Sequence, residues 1–309
     1  MPAPLSPPHP LHQEVLRWYA RNARDLPWRS AEATPWGVLV SEVMLQQTPV
    51  SRVLPVWRTW IGRWPAAADL AAEAPGEAVR RWDRLGYPRR ALRLHAAATA
   101  IRDRHAGAVP ADHADLLALP GVGAYTAAAV AAFAFGQRHA VVDTNVRRVH
   151  ARVVSGTAQP APALSAAETA LAASLLPNEA SVAARWSVAV MELGALVCTA
   201  RSPACGRCPV REQCTWFREG RPAHQGPLRR AQAWHGTDRQ VRGRILAVLR
   251  AAEGPVGQAV IDACWDDDAQ RRRCLHSLLV DGLVEPAPDG GLQLPASAPA
   301  RPLGLGQPV

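Results

Sequence analysis

Leu119-Pro120-Gly121-Val122-Gly123-Ala124-Tyr125-Thr126-Ala127 stands between two stretches of helical patterning and joins them through a pair of glycines. Gly121 and Gly123 permit a tight turn that residues with side chains resist. The helix opening after them leaves its first backbone N–H groups unpaired, and these attract an anion. A helix, a glycine turn and a second helix can therefore grip a phosphate of a nucleic-acid backbone. Any helical hairpin can use glycines in this way, so the surrounding sequence has to decide.

Helical periodicity extends outward in both directions. Apolar residues at Leu11, Val15, Leu16, Trp18 and Tyr19 make one face of a helix over 11–22. Further helices are predicted over 35–47, 49–60, 66–70, 77–85, 88–105, 111–118, 124–135, 146–154, 165–175 and 180–197, with Gly and Pro at the breaks. Strand-like alternation is confined to the last 30 residues or so. There, helices over 239–251, 256–264 and 269–281 precede short strands over 283–286 and 292–294, joined by the turn-forming Pro288-Asp289-Gly290-Gly291. Three helices and a hairpin suggest a winged-helix module, whose third helix carries Arg271, Arg272 and Arg273. The expected organisation is an arm over 1–10 and a helical core over 11–222. The core has a six-helix lobe near 30–143 and a second lobe from 11–29 plus 144–222. A linker over 223–238, the module over 239–294 and a Pro-rich tail over 295–309 follow.

Composition narrows the chemistry. The 309 residues hold 35 basic side chains, every one of them arginine, against 26 acids, for a net charge of +9. With no lysine, imine chemistry on a lysine is excluded. A hydrophobic fraction of 48% is too high for a disordered chain. The longest apolar run, 124–136, falls short of the roughly 20 residues of a membrane helix, so no membrane partner is expected. The N-terminus has neither the charged start nor the apolar stretch of a secretory signal. The positive balance favours a polyanionic partner, although abundant Ala, Pro and Arg without Lys also fit codon bias.

Four of the six cysteines crowd into one segment, Cys198-x6-Cys205-x2-Cys208-x5-Cys214. A cubane iron–sulfur cluster needs four converging thiolates, and closely spaced loop cysteines supply them. Zinc ribbons usually show two CxxC pairs, and only one is present. Such a cofactor loop fits the cytoplasm better than an extracellular disulfide framework does. Two carboxylates draw notice. Glu42, within Val40-Ser41-Glu42-Val43-Met44-Leu45-Gln46-Gln47-Thr48, has apolar neighbours that raise a carboxyl pKa. Asp143, within Val141-Val142-Asp143-Thr144-Asn145-Val146-Arg147-Arg148, stands where a helix begins and reads either as an N-cap or as a reactive acid.

VSEVMLQQT (40–48), LGY (85–87), LPGVGAYTA (119–127), VVDTNVRRV (141–149), MELGALVC (191–198) and the four-cysteine loop occur in this order. Together they resemble the A/G-specific adenine DNA glycosylases of the helix-hairpin-helix superfamily. The resemblance implies an all-α, two-lobed fold with a 4Fe–4S cluster on Cys198, Cys205, Cys208 and Cys214. It implies a monomer, cytoplasmic and nucleoid-associated, that removes adenine mispaired with 8-oxoguanine or guanine from double-stranded DNA. Glu42 matches the general acid that protonates adenine N7, and Asp143 the carboxylate that stabilises the sugar oxocarbenium ion. Tyr125 and Asn145 match residues that orient these acids. Arg24, Trp28, Leu45 and Glu192 match the adenine pocket, and Gln47 and Tyr87 the wedge into the duplex, flanked by Thr48 and Leu85. Gly121 and Gly123 match the DNA-gripping hairpin.

The endonuclease III type also cuts the strand through a lysine imine; Tyr125 stands at that lysine's position, and with no lysine in the chain that route is not available. Two neighbouring readings stay open. A thymine glycosylase for G·T mismatches shares the scaffold, and a catalytically silent iron–sulfur DNA-binding protein would keep the architecture alone. Two departures from the family pattern stand out. Arg84-Leu85-Gly86-Tyr87-Pro88 replaces the usual GLGYY, and 239–294 replaces the pyrophosphohydrolase-like domain that reads 8-oxoguanine in many members. Arg271–Arg273 are expected to replace it in part with phosphate contacts, and Arg89–Arg90 and Arg147–Arg148 are expected near DNA contacts as well.

Overall fold

The computed structural model describes residues 9–224, 226, 234–288 and 290–296. In chain order the helices are α1 (Pro10–Asn22), α2 (Pro35–Leu45), α3 (Val50–Arg63), α4 (Ala67–Ala71), α5 (Pro75–Arg81), α6 (Arg89–Arg104), α7 (His113–Leu117) and α8 (Ala124–Phe135). They continue as α9 (Thr144–Val153), α10 (Ala166–Ser174), α11 (Ala180–Leu196), α12 (Thr215–Arg218), α13 (Asp238–Ala251), α14 (Gln258–Asp262) and α15 (Asp268–Val280). Two antiparallel strands close the described chain, β1 (Glu285–Pro286) and β2 (Leu292–Gln293). Chain contacts divide it into two compact units. No described helix is long and apolar enough to cross a membrane.

The first unit takes the described residues of 1–42, 110–118 and 122–228. Leu11 and Val15 of α1 pack with Val146, Val149 and Val153 of α9 and with Trp186, Val190 and Leu193 of α11. Helix α8 is alanine-rich, and Ala128, Ala129 and Ala132 meet Val141 and Ala184 in a second cluster. It ends at Phe135 because Gly136 turns left-handed. Helix α10 starts where the sequence places it: Ser165 and Glu168 form a capping box.

The second unit takes the described residues of 43–109, 119–121 and 229–309. Trp60 meets Trp64 and Trp82 edge to face, with ring centroids 4.9 and 5.4 Å apart. The indole N–H groups of Trp60 and Trp82 donate to the carbonyls of Arg81 and Gly86. Gly121, at φ +75°, lies where an added Cβ would come within 2.6 Å of the Arg93 Cβ. The hairpin glycine therefore serves both the turn and the close approach.

Helices α13–α15 and the strand pair belong to this same unit. Val256 bridges to Leu292, so α14 starts two residues later than the periodicity predicts. Arg80 Nη1 donates to the carbonyls of Leu249, Arg250 and Ala252 at the end of α13, and Arg250 Nε donates to Val79 O. Arg89 pairs with Asp281 at 3.0 Å, and Asp281 also takes Arg242.

Several sequence expectations are corrected. Pro10, assigned to the arm, opens α1, and residues 1–8 lie outside the described chain. Pro295 and Ala296, assigned to the tail, are held: Gly76 N donates to Pro295 O, and Ala296 N donates to Glu285. Residues 297–309 and much of the 223–238 linker, including Arg229–Arg230, are not among the described residues. Helix α2 stops at Leu45 because Gln47 turns to φ +55°, and α5 stops at Arg81 ahead of Asp83 at φ +47°.

The largest corrections concern the arginines. Arg271 is buried and paired with Asp262 and Asp268, so it holds the module together. Only Arg272 and Arg273 of that run are exposed, and each has an aspartate partner. Arg147 is buried against Glu168 and the carbonyls of Ala161 and Ala163. Arg148 and Arg90 are buried too, and they donate largely to backbone carbonyls.

Candidate active site

Helix α2 is apolar on all sides, with Val38, Leu39, Val40, Val43 and Met44 buried, and this carries Glu42 into the interior, 5% exposed. The Tyr125 hydroxyl, from the first turn of α8, donates to Glu42 Oε2 at 3.0 Å. Burial raises the Glu42 pKa to about 7, and the charge of Asp143 adds to the rise; the Tyr125 hydrogen bond and Arg29 oppose it. Glu42 is therefore substantially protonated near neutrality. The phenol of Tyr125 is itself held well above its ordinary pKa by burial and both carboxylates, so it remains a donor.

Asp143 is the N-cap of α9, as one of its two readings requires. Its Oδ1 accepts from Val146 N and its Oδ2 from Asn145 Nδ2, both at 2.7 Å. Burial raises its pKa while these bonds pull it down, leaving a net rise. Asn145 is fixed in turn, because its Oδ1 accepts from Arg148 Nη2 at 2.7 Å. Arg148 also donates to Gly194 O and Cys198 O, so an unbroken run of hydrogen bonds joins Asp143 to the start of the cysteine loop. Gly194 has to be glycine: an added Cβ would come within 2.7 Å of the Asn145 Cβ.

Arg24 lies just beyond α1, and Trp28 is buried in a short 3-10 turn, Pro27–Arg29. Arg24 makes a two-pronged pair with Glu192, Nε to Oε1 and Nη2 to Oε2, both at 2.7 Å. Arg29 Nη1 approaches Glu192 Oε2 at 3.0 Å, outside hydrogen-bond angles. Burial pushes the Glu192 pKa up, but the two arginines bring it below the usual carboxylate range. Glu192 is 0% exposed and faces its arginines, not open space. The sequence reading missed Arg29, whose signal was its place beside Trp28 in a tight turn. It also missed Gly194, and it assigned Arg148 to DNA.

The remaining expected residues fall in the second unit, apart from Gly123, which caps α8 in the first. Leu45 is half-buried, Gln47 is exposed, and Thr48 and Leu85 are buried. Tyr87 is 49% exposed at φ +47°.

Cys198, Cys205, Cys208 and Cys214 line one cavity with Val149, Arg152 and Trp216. Among the described residues no three such side chains close on a point that one ion would occupy. Four thiols around a cavity suit a multi-iron cluster, in which each iron takes one thiolate, better than a single zinc. Arg152 donates to Cys198 Sγ at 3.4 Å and to Thr199 O, which suits a thiolate-bearing loop. Cys205→Ser should abolish the visible absorbance of the purified protein and release iron and sulfide, as read by optical spectra and metal analysis. An unchanged spectrum would remove Cys205 from the ligand set.

Residues 40–172 match the HhH-GPD superfamily of base excision DNA repair proteins, and residues 198–214 match the iron–sulfur binding domain of endonuclease III. The chain is 52% identical over 295 residues to the adenine DNA glycosylase of Mycobacterium tuberculosis, covering 95% of this chain and 96% of that one. It is 54% identical over 282 residues to the adenine DNA glycosylase of Mycolicibacterium smegmatis, covering 91% and 94%. The solved structure of a thermostable thymine-DNA glycosylase superposes with a TM-score of 0.60 at 27% identity, over 68% of this chain and 95% of that one.

Proposed function

Because the chain belongs to the adenine DNA glycosylases of the HhH-GPD base excision repair superfamily, we propose that Glu42 and Asp143 divide the chemistry of adenine release between them. The supporting observation is the pair of environments. Glu42 holds its proton up to about pH 7 against a Tyr125 hydroxyl, whereas Asp143 is braced by two donors that favour its ionised form. The adenine leaves the stack at a cost of a few kcal/mol, least at a mismatch. Glu42 gives its proton to adenine N7, and the glycosidic bond breaks toward a positively charged sugar. Asp143, ionised, faces that charge, and Asn145 keeps its carboxylate oriented. Arg24, Trp28 and Arg29 line the base pocket, with Glu192 aiming the two guanidinium groups.

Cys198, Cys205, Cys208 and Cys214 would hold a 4Fe–4S cluster. When bound, the cluster supplies cross-links that brace a loop otherwise short of regular structure. The helices of 11–222 form the glycosylase core, and 239–294 is an accessory module. The partner is duplex DNA with adenine opposite 8-oxoguanine or guanine, met by a monomer in the cytoplasm at the nucleoid. Base removal leaves the strand intact, since no lysine occurs and tyrosine holds position 125.

Duplexes carrying A opposite 8-oxoguanine, A opposite G, and T opposite G separate the readings. Free adenine should come from the first two, with strand breaks only after alkali or heat. Thymine from the third duplex without adenine from the others would move the assignment to a G·T enzyme, the reading that the thymine-DNA glycosylase likeness favours.

A further inference from the structure

Arg90, in the first turn of α6, is 6% exposed and spends its guanidinium on two chain segments at once. Nη1 donates to the carbonyls of Val43 at 2.8 Å, Met44 at 3.1 Å and Gln46 at 2.7 Å, at and just past the C-terminal end of α2. Nη2 donates to Thr48 Oγ1 at 3.1 Å, Gly86 O at 3.0 Å and Leu85 O at 3.5 Å. Thr48 Oγ1 donates on to Leu85 O at 3.0 Å, closing the ring between the segments. The guanidinium also lies over the rings of Trp82 and Tyr87, at 5.2 and 5.5 Å.

What this clamp encloses is unusual. Gln47 and Tyr87, one on each segment, are both non-glycine residues in the left-handed region, at φ +55° and +47°, and both are exposed. Such conformations persist only where neighbours over-determine them. The bonds to Gln46 O and Thr48 Oγ1 bracket Gln47, and those to Leu85 O and Gly86 O end one residue before Tyr87. A lysine at position 90 would offer a single ammonium with three donors, too few and too compact to span both segments.

We infer that Arg90 is the positioning residue of the duplex wedge: it sets Gln47 and Tyr87 at one fixed spacing, so that both side chains enter the helix together beside the target pair. This rests on the reading of Gln47 and Tyr87 as the wedge, and it assigns their geometry to a group that does not itself touch DNA.

The test uses the full cluster-loaded chain as Arg90→Lys, Tyr87→Ala and the double variant. The duplex carries A opposite 8-oxoguanine, with 2-aminopurine beside the lesion to report local unstacking by fluorescence. Arg90→Lys should lose most of the fluorescence rise and slow single-turnover adenine release at least tenfold, with the cluster spectrum unchanged. Added to Tyr87→Ala, it should slow release by less than twofold more, because the wedge it positions is already gone. The same factor in both backgrounds would mean a general structural role and overturn the inference, as would no effect of Arg90→Lys. Loss of signal in Tyr87→Ala but not in Arg90→Lys would sink the clamp and keep the wedge; no effect of Tyr87→Ala would sink the wedge reading and the clamp with it. Should Arg90→Lys fail to fold, Thr48→Val removes one acceptor and the link to Leu85 at nearly the same volume. It should show the same pattern at about threefold, and an unchanged rate would overturn the inference.

Discussion

Glu42→Gln should slow single-turnover release of adenine by about 10²–10⁴-fold, the usual worth of a positioned general acid, while duplex binding changes little. The amide is isosteric and can still accept from Tyr125, so the packing of α2 survives and only the transferable proton is lost. The pH profile carries a second signature. With the Glu42 pKa at about 7, the unsubstituted chain should keep its rate up to neutrality and then lose about tenfold per pH unit above it. The variant's residual rate should lack that limb. Stability responds with a definite sign. The folded pKa lies above the ordinary carboxylate value of 4.5, so the stability linked to holding this proton is complete below 4.5 and lost as pH rises through 7. Glu42→Gln should therefore gain on the parent in urea melts above pH 7, by on the order of 3 kcal/mol at full ionisation, and lose that advantage in acid. A variant with full activity, or with the alkaline limb intact, would take the acid's role away from Glu42.

Asp143→Asn should cost about 10²–10³-fold or more in the same assay, the scale for removing an electrostatic partner of a transition-state charge. Asparagine caps a helix as well as aspartate does, so α9 should keep its start. The introduced amide has one acceptor where the carboxylate has two, however. Either Val146 N or Asn145 Nδ2 loses its partner, at a cost of about 1–3 kcal/mol in stability. The rate loss and the stability loss should therefore part company: Asp143→Ser, which also caps, should regain part of the stability and none of the rate. Because burial lifts the Asp143 pKa above 3.8, the acid limb of the parent's pH profile should lie higher than an ordinary carboxylate gives, and it should disappear in both variants. Recovery of rate in Asp143→Ser would leave the residue a cap and nothing else.

Much of this site is legible in the sequence because its signals are local. An acid flanked by valine and by methionine and leucine on an apolar helix must be buried, and Glu42 is. Asp143 three residues before Val146 reads as a cap, and it caps. Four cysteines within 17 residues need no tertiary knowledge to be grouped. The arginines are where local reading fails. Arg90, Arg147, Arg148 and Arg271 stand in basic pairs or runs that look like phosphate contacts, yet each is buried. Arg148 finds Cys198 O at a separation of 50 residues, and Arg90 finds Val43 O at 47. Charge along a chain says nothing about which carbonyls the fold will bring to it. Arg29 is the converse case, a half-buried cation hidden because its partner Glu192 lies on α11.

The seam between α5 and the C-terminal helices bears on how such chains can be recombined. Arg80 is addressed to three backbone carbonyls at the end of α13, Arg250 to one at Val79, and the Gly76 N–H to Pro295 O. An added Cβ at Gly76 would come within 2.7 Å of that same oxygen. Bonds of this kind recognise a particular backbone path, which an unrelated domain grafted after the linker would not reproduce. A chimera that swaps in another C-terminal domain must therefore redesign α5 as well, because the exchangeable block is the seam with both its sides and not the segment behind residue 234.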